Sequence, residues 1–249
     1  MSHHAWKLVA WDAAGGILGA TMPGRATTED VRNISYFKAL DDASAERLAE
    51  AMVHLRFVSR DRVITEGEAA PGFYYLRTGK ARIFRTGTDG REQSFRIVSG
   101  GDTFGEVPVF DAAPNPASVE ALTDCDVILI PTSAVIDTIG RHPEVAVPLL
   151  VHFAKRLRSF TELVEQISLQ TVPSRIARYL YQVGREEGIR TDEGLVIARD
   201  ITQQDLASLV GSVREVVSRS LKVMEEEGII LIRRKEMVIL DLAALREMV

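Results

Sequence analysis

Apolar residues along the chain change period twice, and each change marks a different kind of element. Between Gly67 and Gly105 lie eight of the chain's eighteen glycines, and the segments they separate are short and apolar or alternating. Phe73–Leu76, Ala81–Arg85, Ser94–Val98 and, further on, Cys125–Ile130 have the length and spacing of strands cut by glycine turns, as in an antiparallel sandwich or barrel. Upstream, Ser44 followed by Leu48, Met52 and Leu55 predicts a capped amphipathic helix ending near Phe57. Residues 1–33 show no sustained period and carry Gly15-Gly16 and Pro23-Gly24, so they are expected to be an N-terminal extension, partly ordered through Trp6 and Trp11.

Leu150, Phe153, Leu157, Phe160, Val164 and Ile167 then recur at spacings of 3, 4, 3, 4 and 3. Ala146 extends the stripe backward, with Pro148 a possible kink. A two-in-seven stripe is narrower than a globular core requires, so the spacing predicts a helical seam between two copies of the chain. A long helix packed on its own domain is the alternative reading. After Gln170-Thr171, a hinge candidate, threonine and Val172-Pro173 suit the start of a new helix through Ile176, Leu180 and Val183 to Gly188.

The stretch Ile201–Ile230 carries the candidate chemistry. Thr202 and Asp205 have capping-box spacing, Leu206, Leu209 and Val210 form an inward face, and Gly211 can take the left-handed conformation that ends a helix. Ser212 is expected to cap a second helix with Glu215 at its third position. Two capped helices joined by a glycine turn have the form of a helix-turn-helix. Val213, Val217, Leu221 and Met224 make the buried stripe of the second helix, while Glu215, Ser218, Arg219 and Lys222 occupy another face and Arg214 its tip. Arginine suits guanine O6 and N7 bidentately and glutamate accepts from cytosine N4. The competing reading is a Glu215–Arg219 surface pair on a winged helix that binds protein. Ile229–Arg233 and Met237–Leu240, around Arg233-Arg234-Lys235, read as a wing whose cations meet phosphates.

Composition narrows the classes. The 249 residues carry a net charge of −5, and from Val172 onward 12 Lys and Arg face 13 Asp and Glu, so DNA binding would depend on placed cations rather than bulk charge. The single cysteine, Cys125, excludes a disulfide framework and an all-cysteine iron–sulfur or zinc site within one chain, and is expected to be a buried structural thiol. Apolar runs fall far short of the roughly 18 residues of a membrane span, and the N-terminus is not signal-like, so the expectation is a cytoplasmic protein with no membrane partner. No histidine lies between His54 and His142, which removes a cupin-like metal site. No catalytic triad, Walker or Rossmann pattern stands out, so no enzyme, catalytic residue, metal or cofactor is expected. The scattered His54, His142 and His152 are read as solvated or capping residues, with His152 beside the seam a candidate for pH sensitivity.

From about Ile34 to Leu240 the chain resembles the superfamily of the cyclic-AMP receptor protein and the fumarate-nitrate-reduction regulator, bacterial transcription factors. The resemblance rests on EGEAAPGFYYLRTGKARIF, GGDTFGE, EALTDCDVILI, the heptad helix and, most specifically, GSVREVVSRSLKVMEEEGII. It implies that Arg214, Glu215 and Arg219 read a TGTGA-like half-site, that Gln204 touches phosphate, and that Val213 replaces a small hydroxyl residue that would do so. Ser218, Lys222, Thr202 and Ser212 complete the expected DNA-binding set. It also implies an effector pocket, degenerate in this chain. Glu106 stands where cyclic-AMP binders place a ribose-binding glutamate, but Asn115 and Pro116 replace the Arg-Ser pair that grips the cyclic phosphate, and Phe160 replaces a small hydroxyl beside Thr161. Asparagine brings no charge and proline neither hydroxyl nor N–H. Glu106 is equally readable as structural, accepting backbone N–H bonds.

The expected fold class is α+β: an extension (1–33), an antiparallel β-roll sensor domain of cyclic-nucleotide-binding type (34–142), a dimerisation helix (143–170) and a winged helix-turn-helix (171–249). The expected function is a homodimeric DNA-binding transcription regulator of a palindromic site, independent of cyclic AMP, with double-stranded DNA, a second copy and RNA polymerase as partners. The alternatives are the same fold regulated by another small ligand, or a sensor adaptor that does not bind DNA.

Overall fold

A computed structural model describes residues 25–249 and the backbone of the paired strands β1 (Ala10–Trp11) and β2 (Ile17–Leu18); the side chain of residue 166 is not among those described. The expected ordering role of Trp6 and of the Trp11 side chain lies outside the described residues. Contacts divide the chain into two compact units, Met1–Ile83 with Ile97–Lys155, and Phe84–Arg96 with Arg156–Val249.

The first unit opens with α1 (Thr28–Asn33), which falls inside the stretch read as an extension. Thr27 and Asp30 form a reciprocal capping box, and Val31, Ile34 and Phe37 are buried in the core. One turn of helix is too short to register as a period, which is why the sequence pattern misses it. Helix α2 (Asp42–Ala51) is capped by Asp41, whose carboxylate accepts from the Ser44 N–H at 2.8 Å, rather than by Ser44. It also ends earlier than expected. Leu55 lies on β3 (Val53–Phe57), opposite Val127, because pairing with a central strand satisfies the backbone there and overrides the helical spacing.

The strands β4 (Arg62–Ile64), β5 (Gly72–Thr78), β6 (Lys80–Thr86), β7 (Glu92–Ser99), β8 (Thr103–Phe104), β9 (Ser118–Ala121) and β10 (Cys125–Pro131) follow, with α3 (Val107–Asp111) between β8 and β9. They form two four-stranded sheets of order β3-β10-β5-β8 and β4-β9-β6-β7. Val127, Ile128, Leu129 and Ile130 of β10 are all fully buried, so this strand is covered on both faces. The β5–β6 turn requires glycine: Gly79 has φ +98°, and a Cβ there would lie 2.4 Å from the Asp124 carbonyl oxygen. Helix α4 (Thr132–Arg141) and one 3₁₀ turn then lead into α5 (Ala146–Leu169), continuous over 24 residues with Pro148 in its first turn, where no intrahelical N–H is lost.

In the second unit, α6 (Val172–Glu187) starts at the Thr171 cap and stops before Gly188. The strands β11 (Ile189–Arg190) and β12 (Leu195–Ala198), the helices α7 (Gln203–Leu209) and α8 (Arg214–Glu226), β13 (Ile230–Ile232), β14 (Glu236–Ile239) and α9 (Leu242–Glu247) complete the chain. The expected two-stranded wing is the edge of a larger sheet of order β11-β12-β14-β13. Ile176, Ala177 and Leu180 of α6 pack with Leu206 of α7, with Val217, Leu221 and Met224 of α8, and with Ile239 of β14 in one core.

Candidate nucleic-acid interface and effector residues

Helix α7 begins as its sequence predicts. The Thr202 hydroxyl accepts from the Asp205 N–H at 3.1 Å, and the Asp205 carboxylate accepts from the Thr202 N–H at 2.9 Å and from its hydroxyl at 2.7 Å. Such a cap is worth about 1 kcal/mol, and it leaves Thr202 with its hydroxyl already engaged. Gly211, at φ +60°, turns the chain, and the Ser212 N–H closes the turn on the Ala207 carbonyl at 2.9 Å.

The expectation that Ser212 caps the second helix is corrected, because the residue with extended backbone immediately before the helix is Val213. The cap position of α8 is Val213, at φ −110° and ψ 153°, with no side-chain hydrogen bond. Val213 does not extend the buried stripe either, being 43% exposed. The shift of one residue makes Arg214 and Glu215 the first two residues of α8, and Glu215 there faces the favourable end of the helix dipole.

Arg214, Glu215, Ser218, Arg219 and Lys222 are all exposed, as are Thr202 and Gln204; Ser212 is half-buried. Among the described residues Glu215 and Arg219 make no ion pair with each other, so the surface-pair reading finds no contact to support it, whereas Lys222 pairs with Glu226 at 3.5 Å. At the wing turn Arg233 is held by Glu193 at 2.6 Å and Glu236 at 2.9 Å, and those carboxylates raise its pKa. Arg234 and Lys235 carry no such partner among the described residues, so the wing presents two cations rather than three to a phosphate.

Sequence reasoning gave no part to Gln93, Ser94 and Ser208. Within the second unit the buried hydroxyls of Ser94 and Ser208 are 2.7 Å apart, and the Gln93 amide donates to the Ser208 carbonyl at 3.0 Å. The contact joins residues 114 apart in sequence, so no local pattern reveals it.

The seam residues of α5 divide. Leu150 (65%), Leu157 (69%), Phe160 (50%), Val164 (64%) and Ile167 (40%) are exposed, but Phe153 packs against the core of its own unit, edge-on to Phe110 at 5.6 Å. Phe160 also meets Phe95 at 6.0 Å.

In the first unit Asn115 is buried, and its amide and backbone are engaged. Its side-chain amide and its own N–H both donate to the Glu68 carbonyl at 2.9 Å, and its carbonyl accepts from Gly67 at 2.9 Å. Pro116 is exposed. Glu106 is buried, and its carboxylate lies 3.2 Å from Nε2 of His152, a side-chain partner rather than the backbone donors expected of a structural glutamate. Burial, followed by the nearby Glu106 carboxylate, pushes the Tyr36 phenol well above its usual range, and the Tyr36 ring meets His152 edge-on at 5.4 Å. In the second unit the Thr161 hydroxyl donates back to the Leu157 carbonyl at 3.1 Å.

His54 and His142 are not simply solvated either. His54 is buried against Asp126, and His142 bonds Ser44 at 2.7 Å and Glu144 at 3.0 Å. Cys125 is buried, and burial pushes its thiol up to about 11 although it donates to the Lys80 and Thr123 carbonyls at 3.3 Å. Among the described residues no three His, Cys, Asp or Glu side chains come together as a metal-binding group.

Residues 54–142 match the family model of the cyclic nucleotide-binding domain, and residues 174–248 match that of the Crp-like helix-turn-helix domain. The chain is 29% identical over 213 residues to the CRP-like cAMP-activated global transcriptional regulator of Mycobacterium tuberculosis, covering 86% of this chain and 95% of that protein. It is 30% identical over 168 residues to the cyclic AMP receptor protein of Thermus thermophilus, covering 68% and 74%. Among solved structures, the c-di-GMP responsive global regulator CLP of Xanthomonas campestris superposes with a TM-score of 0.71 at 25% identity, over 81% of this chain and 100% of that one. With a cyclic-nucleotide-binding β domain, a long helix and a Crp-like helix-turn-helix in one chain, the protein belongs to the Crp/Fnr family of DNA-binding transcription regulators.

Proposed function

We propose that the protein acts in the cytoplasm as a homodimer that reads a palindromic, TGTGA-like DNA site without needing cyclic AMP. The observation that carries the DNA reading is the exposed group of Arg214, Glu215 and Arg219 at the start of α8, none paired with a described residue. An unpaired carboxylate beside DNA phosphates is unfavourable unless it accepts from a base. Two such helices about a two-fold axis enter successive major grooves about 34 Å apart. The exposed apolar stripe of α5 supplies the dimer contact, and RNA polymerase is the expected downstream partner.

Cyclic AMP does not fit the residues present. The Mycobacterium tuberculosis relative is cAMP-activated, but at position 115 this chain carries an uncharged asparagine whose side-chain amide donates to the Glu68 carbonyl. Pro116 offers neither hydroxyl nor N–H. The Glu106 carboxylate already faces His152. An anion site without charge-assisted bonds loses roughly 1.5–3 kcal/mol for each.

Selection of random duplexes on the purified full chain, with and without cyclic AMP, tests both parts. Inverted TGTGA-like half-sites should be enriched equally in both arms. No enrichment in either arm sinks the DNA reading, and enrichment only with the nucleotide sinks its independence.

A further inference from the structure

Several arginines of the chain, among them Arg32, Arg77, Arg82, Arg141 and Arg233, pair with Asp or Glu. Three unpaired arginines of the second unit are gathered in one place. Arg178 and Arg185 of α6 and Arg246 in the last turn of α9 line one cleft of about 630 Å³, along with Tyr181, Gln182 and Glu186. None of the three makes an ion pair with a described residue. Glu186, the one side-chain carboxylate in the lining, is outside pairing distance of all of them.

Residues 178, 181, 182, 185 and 186 follow the helical repeat, so they form one face of α6, away from the face that buries Ile176, Ala177, Leu180 and Gly184. The Arg178 Nε is closed off from solvent with no hydrogen-bond partner. A buried guanidinium nitrogen left unpaired is costly, and an anion bound in the cleft would offset part of that cost. The Arg185 guanidinium stands 5.8 Å over the Tyr181 ring, which orients its fork instead of leaving it to sweep through water.

We propose that this cleft is a binding site for a phosphorylated small molecule. Guanidinium forks match phosphate oxygens bidentately, and three of them against the Glu186 side chain and the terminal carboxylate of Val249, which also lines the cleft, leave an excess of positive charge. The volume is in the range of small-molecule sites and exceeds what one bare phosphate fills. The cleft shares no residue with the DNA-reading set of α7 and α8 or with the wing turn at 233–235, so it is separate from the proposed reading face and independent of it.

Titration calorimetry of inorganic pyrophosphate into the full chain at low ionic strength tests the site. Arg185 and Arg246 are exposed, so the double variant Arg185→Gln/Arg246→Gln keeps the fold, which an unchanged melting temperature without ligand verifies. Wild type should bind pyrophosphate and melt higher in its presence. The double variant should bind about tenfold or more weakly and lose the melting shift. No heat and no shift with wild type, or equal binding by the variant, overturns the proposal. A duplex without TGTGA half-sites that displaces pyrophosphate, and binds the variant less well, would assign the cleft to nucleic-acid backbone and overturn it too. Unchanged duplex affinity in the variant supports a separate ligand site.

Discussion

The Glu106 carboxylate and Nε2 of His152 lie 3.2 Å apart, both side chains nearly buried, and this contact ties the start of α3 to α5.

His152→Ala leaves Glu106 buried without that partner. The loss is expected to be about 1–3 kcal/mol, the cost of an unsatisfied buried polar group. Urea unfolding monitored by circular dichroism measures it, and a midpoint equal to wild type would show that Glu106 does not depend on the histidine.

Leu157 is the most exposed of the seam residues, and no aromatic contact within its own chain complicates its replacement. Leu157→Asp should weaken self-association by two orders of magnitude or more, roughly the 3 kcal/mol or greater penalty of an unpaired charge in an apolar interface. Sedimentation velocity across a concentration series reads this out. A profile identical to wild type would refute the seam.

Arg214→Ala should cost about 1–3 kcal/mol in affinity for the selected duplex and relax selection at one base position. Lys235→Ala, at the wing, should weaken all duplexes alike and reduce the salt dependence of binding by about one counterion. Fluorescence anisotropy at several salt concentrations separates the two behaviours.

Asp30 is buried, which works against its charge, yet the Arg77 guanidinium at 2.7 and 2.9 Å and the Thr27 N–H and hydroxyl hold its pKa below the ordinary value. A carboxyl with a lowered folded-state pKa contributes stability that is present above its unfolded value and lost as pH falls through the folded one. Asp30→Asn should therefore be less stable than wild type by about 3 kcal/mol near pH 7. The difference should shrink below about pH 4, as the wild-type carboxyl protonates. A gap that stays constant down to pH 3 would contradict this account.

Cys125 should resist a thiol reagent at pH 7 in the native protein and react once per chain in denaturant, because burial holds its thiol near 11. Rapid labelling of the native protein would show that its strand opens locally.

Much of this was legible because it is written in local chemistry. Thr202 with Asp205, Gly211 and the stripe Val217, Leu221 and Met224 announce the helix-turn-helix wherever the rest of the chain lies, since caps and 3.6-residue periodicity act over one or two turns. The glycine-cut runs likewise announce β5, β6, β7 and β10. The start of α8 lies one residue later than the capping pattern places it, because Val213 rather than Ser212 is the extended residue before the helix, and only the folded turn reveals that.

The sequence by itself determined the helix-turn-helix, the glycine-cut strands, the exposed Arg214, Glu215 and Arg219, and the absence of a cation at Asn115, because each follows from residue identity and short-range spacing. The tertiary structure alone decided that Leu55 is a strand residue opposite Val127, that Phe153 turns inward to Phe110, that Glu106 faces His152, and that three arginines from α6 and α9 share one cleft. The reason is physical: those outcomes depend on which distant segments are brought into contact, and the energy of such contacts is carried by packing and pairing that no window of neighbouring residues contains.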